Sequence, residues 1–211
     1  MQCGRENPTC CAVILAGGLN TRMDGRNKAF LEIGGQTILD RLIATLQPIF
    51  QQILLVTRHP EQYGDLPVRV VEDLYAARSS LTGIHAGLKH TDTDYALMVP
   101  CDAPFLQPEL IRLLLDEIDP ETDAVVPRIK GYYEPLCAIY ARRCLAPIES
   151  QLDRGIYKIT RFFDRIRLKI VPEEKIGRVD PAMRSFLNVN TPEALASILA
   201  KDQELKPKIK P

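Results

Sequence analysis

VILAGGLNTRMDGRNK, residues 13–28, begins as an apolar β-branched run, breaks at Gly17-Gly18 and ends among the cations Arg22 and Lys28. A buried parallel strand opening into such a loop sets backbone N–H groups and positive side chains at one sheet edge, which suits a polyphosphate. The segment matches neither common nucleotide motif. The P-loop needs two glycines with four residues between them, followed by Lys and Ser or Thr, and the dinucleotide fingerprint needs G-x-G-x-x-G, whereas these glycines are adjacent. By itself a glycine pair after a strand is equally well a tight turn.

Outward from this stretch the chain alternates strand and helix. Ile38, Leu39, Leu42, Ile43 and Leu46 recur at helical spacing behind Thr37, a suitable N-cap. ILLVT (53–57), VRVV (68–71) and YALMV (95–99) are short apolar runs of the kind found in strands covered on both faces. Between the last two, Leu81, Ile84 and Leu88 share a helical face. Leu110, Ile111, Leu114, Leu115 and Ile118 predict an amphipathic helix entered at Pro108. AVVP, LCAIY and LKIV are further strand candidates, with a helix between Cys144 and Leu152. FLNVN (186–190) reads as a closing strand before a helix over TPEALASILA, with Thr191 as cap, Pro192 in the first turn and Glu193 at the positive dipole end.

This pattern predicts a single α/β domain over residues 12–200, between a flexible leader (1–11) and a polar tail (201–211). The expected architecture is a doubly wound, mainly parallel sheet with helices on both faces and one antiparallel strand, its ligand lying beyond the carboxyl ends of the strands. That rule collects Gly17-Gly18, Asp73, Asp102, Asn188 and Asn190, with Arg22 and Lys28, on one rim. Each has a plainer reading. Asp102 before Ala103-Pro104 is a natural turn former, Asp73 a cap, and the asparagines, two apart in a strand, could satisfy backbone groups.

Composition narrows the function. Among 211 residues, 27 Lys and Arg balance 27 Asp and Glu, so the basic surplus of a nucleic-acid binder is missing. No apolar run approaches the ~18 residues of a membrane span, and the N-terminus lacks a signal-peptide core. Six cysteines without an export signal read as reduced thiols in the cytoplasm. The histidines have no ligand-spaced neighbours, and Arg142-Arg143 and Arg165-Ile166-Arg167 read as solvated cations, one of which could serve an acidic substrate.

LAGGLNTRMDGRNK resembles the signature L-A-G-G-x(2 or 3)-R-M-G-x-x-K of nucleotidyltransferases that move a nucleoside monophosphate from an NTP. PCDAPF (100–105), EPLCAIY (134–140) and FLNVNTPEAL (186–195) are similar, in the same order, to motifs of the molybdenum cofactor guanylyltransferases. The resemblance implies transfer of GMP from GTP to the terminal phosphate of molybdenum-molybdopterin, with release of pyrophosphate. It implies that Leu15, Ala16, Gly17 and Gly18 hold the nucleotide and that Asp73 contacts it. Lys28 and Arg22 lie near the phosphates, Asp102 binds Mg²⁺, and Asn188 and Asn190 face the pterin. Molybdoenzymes and cofactor chaperones are the implied protein partners. Phosphoryl-type transfer needs positioning and neutralised charge more than covalent help, so Mg²⁺, backbone N–H groups and cations suffice and no general base is required.

The chain departs from the family at Asp24, where Gly is common, at Asn27, where Asp usually precedes the lysine, and at SSLTGI (79–84) in place of G-P-L-A-G-I. Two other readings therefore stay open. One is a cytidylyltransferase or sugar-phosphate nucleotidyltransferase of the same fold. The other is a GTP-binding cofactor-handover module with little turnover.

Overall fold

The computed structural model describes residues 9–17, 27–73 and 75–189. Gly18, Arg22, Asp24 and Asn190, the expected helix over TPEALASILA, the tail and most of the leader lie outside the described residues.

Among the described residues the first element is β1 (Cys10–Leu15), so Cys10 and Cys11, expected in the leader, belong to a strand. Cysteine packs as a small hydrophobe, and Cys11 is fully buried opposite Ala96. After a 3-10 turn at Lys28–Phe30 comes a hairpin that the sequence pattern did not predict, β2 (Glu32–Ile33) and β3 (Gln36–Thr37). Gly34 and Gly35 supply its turn with φ of 61° and 81°, the left-handed pair that a two-residue hairpin loop favours. α1 (Ile38–Leu46) follows, and Thr37 closes a capping box with Asp40. Then come β4 (Ile53–Thr57), β5 (Arg69–Glu72), α2 (Ser80–His90), β6 (Tyr95–Pro100) and α3 (Pro108–Asp116), which ends before Ile118. The second half holds β7 (Ala124–Ile129), β8 (Tyr132–Tyr133), β9 (Ala138–Ala141), α4 (Leu145–Leu152), β10 (Leu168–Pro172) and α5 (Glu173–Ile176).

Among the described residues an eight-stranded sheet results, in the order β10-β7-β9-β6-β1-β4-β5 with β8 paired to β7. All pairings along β5-β4-β1-β6 and between β7 and β10 are parallel, whereas β9 runs antiparallel to both β6 and β7. The expected mainly parallel sheet with a reversed strand is thus what forms. Two apolar layers sandwich it. α1 and α3 cover one face through Leu39, Leu42, Leu46, Leu110 and Leu114. α2 and α4 cover the other through Leu81, Ile84, Leu88, Ile148 and Leu152.

Residues 187–189 do not form the closing strand that FLNVN suggested. The Asp180 carboxylate accepts the backbone N–H groups of Arg184 and Ser185 at 2.9 Å each, nucleating a 3-10 turn over Arg184–Phe186. The Val189 N–H then goes to the Asp102 carbonyl at 2.8 Å instead of to a strand ladder. Arg143 and Arg167 are also not merely solvated, because both grip the Asp123 carboxylate.

Candidate active site

Four strand ends build the site. β1 releases the chain at Leu15, and the Ala16 N–H is held by the Val56 carbonyl of β4 at 2.8 Å. The Leu15 carbonyl accepts the Cys101 N–H from the end of β6 at 3.1 Å, so the first loop and the Pro-Cys-Asp segment are stitched together. Among the described residues, a Cβ placed on Gly17 would meet no atom within 4 Å, and the backbone there faces open space that a ligand can approach. Leu15, Ala16, Gly17, Lys28, Asp73, Asp102 and Asn188 all line one cleft of about 350 Å³. Of the residues expected at the site, Gly18, Arg22 and Asn190 lie outside the described residues.

Lys28 opens the 3-10 turn that Asn27 caps. The Asn27 carbonyl oxygen accepts the Ala29 N–H at 3.1 Å, and its amide donates to Tyr63 Oη at 2.9 Å and Gln62 Oε1 at 3.2 Å. The amide thus does what an aspartate's capping oxygen would do and adds a donor that ties the lysine's turn to residues 62–63.

Asp73 follows β5, its own N–H held by the Thr57 carbonyl at 3.0 Å. Its Oδ1 accepts the Tyr75 N–H at 3.1 Å and its Oδ2 the Thr82 hydroxyl at 2.7 Å. Thr82, fully buried in the first turn of α2, stands in the SSLTGI segment where the family pattern has Ala. Arg58 shapes the same loop by donating to the carbonyls of Tyr75, Ala76 and Ala77 at 3.0–3.1 Å. The clamped loop brings Arg78, Ser79 and Ser80 to the cleft, together with Gly83 of α2. Sequence reading had given these no role; the clue was the altered SSLTGI segment, with a cation immediately before it.

Asp102 sits across the cleft. Burial raises its carboxyl above the usual range, and the nearby Lys28 charge pulls it partly back. Burial, reinforced by the Asp102 charge, pushes the adjacent Cys101 thiol up to about 12, which rules it out as a ready nucleophile. Among the described residues no three His, Cys, Asp or Glu side chains converge. One half-buried carboxylate beside this cleft is instead a donor set that Mg²⁺ accepts, since it completes its shell with phosphate oxygens and water.

A second, smaller pocket of about 150 Å³ continues from the first, sharing Pro100, Leu136 and Asn188 with it. Glu134 and Pro135 from the turn before β9 line it, opposite Ser185 and Phe186.

The chain resembles known proteins over nearly its whole length. Residues 12–169 match the model of the MobA-like NTP transferase domain. A molybdenum cofactor guanylyltransferase of Desulfosudis oleivorans is 39% identical over 183 residues, 87% of this chain and 91% of that protein. Its counterpart in Vibrio cholerae is 31% identical over 185 residues, 87% and 88% of the two chains. The crystal structure of molybdopterin-guanine dinucleotide biosynthesis protein A from Archaeoglobus fulgidus superposes with a TM-score of 0.80 at 28% identity, over 92% of this chain and 99% of that one. A 4-diphosphocytidyl-2C-methyl-D-erythritol synthase from Anaerococcus prevotii, with a TM-score of 0.67 at 19% identity over 93% and 97%, shares the fold alone. With Asp73, Asp102 and Gly17 around one cleft, the chain belongs to the MobA-like NTP transferases and, within them, to the molybdenum cofactor guanylyltransferases.

Proposed function

We infer that this cleft transfers GMP from GTP to the terminal phosphate of molybdenum-molybdopterin and releases pyrophosphate. The observation that carries the reading is the meeting of Lys28, Asp73, Asp102 and Asn188 on one rim of a chain 39% identical to a guanylyltransferase. The backbone at Leu15, Ala16 and Gly17, continuing to Gly18, takes the GTP phosphates. Lys28, with Arg22 from the same loop, offsets charge on the departing pyrophosphate. Asp73, held by Thr82 and the Tyr75 N–H, keeps a fixed pair of acceptor oxygens toward the nucleoside. Asn188, with Asn190, bounds the acceptor side.

Asp102 is the residue that would hold Mg²⁺. When bound, the ion neutralises charge building on the phosphate oxygens. The acceptor phosphate is already an anion, so no side chain need remove a proton. Substrates on this reading are GTP and molybdopterin, the product passes to molybdoenzymes or their chaperones, and the compartment is the cytoplasm.

The test is pyrophosphate release with GTP, molybdenum-molybdopterin and Mg²⁺, followed by mass analysis of the pterin product. Lys28→Ala and Asp102→Ala are each expected to lower kcat/KM by ~10²-fold or more while leaving the thermal melt in place. Full activity in both variants refutes the site assignment. Higher turnover with CTP than with GTP would point to a cytidylyltransferase, and GTP-dependent thermal stabilisation without product to a handover module.

A further inference from the structure

The pocket beside the cleft has a composition that phosphate binding does not explain. Its walls include Pro135, Leu136, Ile159 and Phe186, apolar surfaces able to cover the faces of a flat ring. Its polar groups are Glu134, Ser185 and Asn188. The Glu134 backbone is fixed on both sides, its N–H donating to the Pro127 carbonyl at 2.9 Å and its carbonyl accepting the Cys137 N–H at 3.1 Å. Its half-buried carboxylate has no hydrogen-bonding or ion-pairing partner among the described residues, and burial alone shifts it upward. A half-exposed carboxylate at a pocket wall has both oxygens available to accept N–H donors from a ligand.

We propose that this pocket receives the pterin ring of the acceptor and that the Glu134 carboxylate selects it by accepting the N3–H and 2-amino hydrogens. A carboxylate presents two oxygens side by side and matches two adjacent N–H groups in the manner of an Arg–carboxylate pair. The ring's other end then points back past Leu136 and Asn188, which the pocket shares with the cleft, toward the place where the acceptor phosphate meets GTP. Guanine carries the same donor pair, but the donor nucleoside is engaged by Asp73, at the end of a strand three places from β6 in the sheet. Glu134 is a binding residue in this scheme and takes no part in bond making.

This inference rests on the guanylyl-transfer reading, and direct binding separates the two. Under anaerobic conditions, pterin fluorescence is titrated with wild type and Glu134→Gln, and GTP binding is followed in parallel by thermal shift. Glu134→Gln is expected to weaken molybdopterin binding ~10- to 100-fold, the loss of one charged hydrogen bond, with GTP affinity unchanged. Pterin is expected to compete better than lumazine, its 2-oxo counterpart, against wild type, and that difference vanishes in Glu134→Gln. Unchanged pterin affinity, or a loss that falls on GTP, overturns the assignment. A wild type that binds pterin but makes no guanylated product overturns the catalytic reading and leaves the Glu134 result standing. A wild type that binds no pterin overturns both.

Discussion

A single hydroxyl holds the Asp73 carboxylate at the wall of the cleft. Thr82 Oγ lies 2.7 Å from Asp73 Oδ2 and 2.8 Å from the Ser79 carbonyl. It has one proton to give, and the charged oxygen is the stronger acceptor. Thr82→Val keeps the shape and removes that donor. Steady-state kinetics are expected to show KM for GTP raised about 5- to 20-fold with kcat nearly unchanged, and Thr82→Ser restores it. The same substitution in an Asp73→Asn background should add little, and an undiminished loss there would make Thr82 merely structural. At this scale Asp73 and Asp102 were legible because each sits just past a strand, where side chains leave a sheet; Lys28 was legible as the cation closing the loop after β1, and Asn188 was reached through a closing strand that does not form. Arg78 and Ser79 were not, because what brings them to the cleft is Arg58, some 20 positions earlier, gripping three carbonyls. Asn27, which departs from the family pattern, is a cap whose extra donor no local pattern announces.

Among the elements, α2 carries the closest tolerance. A Cβ on Gly87 would stand 2.7 Å from Val13 Cγ1 and 3.3 Å from Met98 Cε, so the helix presses on β1 and β6 at the point where it has no side chain. Gly87→Ala is expected to destabilise the protein by about 1–2 kcal/mol, the overpacking cost less the gain in helix propensity. A thermal melt should register this as a Tm lower by roughly 3–8 °C. Gly83, whose Cβ would make only a 3.4 Å contact with Leu15 Cδ2, is the control. The helices and long strands were legible from periodicity because their faces meet a core. FLNVN misled because its apolar-polar alternation is that of a strand, while the deciding interaction is a carboxylate at Asp180 capping the turn before it. The Gly34-Gly35 hairpin escaped because its strands are two residues long and mostly polar.

Across the whole molecule, Asp123 joins the chain's second half together. Its carboxylate takes the Arg167 N–H at 2.7 Å and the Arg143 and Arg167 guanidinium groups. Burial pushes its carboxyl up, but these donors more than offset that and leave it at about 2. Because the folded value lies below the ordinary ~3.9, the stabilisation is complete above about pH 4 and is lost as pH falls toward 2. Urea unfolding across that range should show wild type losing about 2 kcal/mol more than Asp123→Asn; equal acid sensitivity would assign the effect to other carboxylates. The parallel core of the sheet was legible from buried apolar runs, whereas the place of the reversed strand depends on long-range pairing that no short window holds. That reversal has a consequence for how such a protein can change. Because β9 starts beside the end of β6, the turn at 134–137 reaches the ligand rim from the opposite direction of travel to the loops after β1, β5 and β6. On the proposed role of Glu134, acceptor choice lies in a stretch that can be swapped or lengthened while the loops proposed to hold GTP keep their lengths, so a new recipient could evolve, or be engineered, onto an unaltered donor machine.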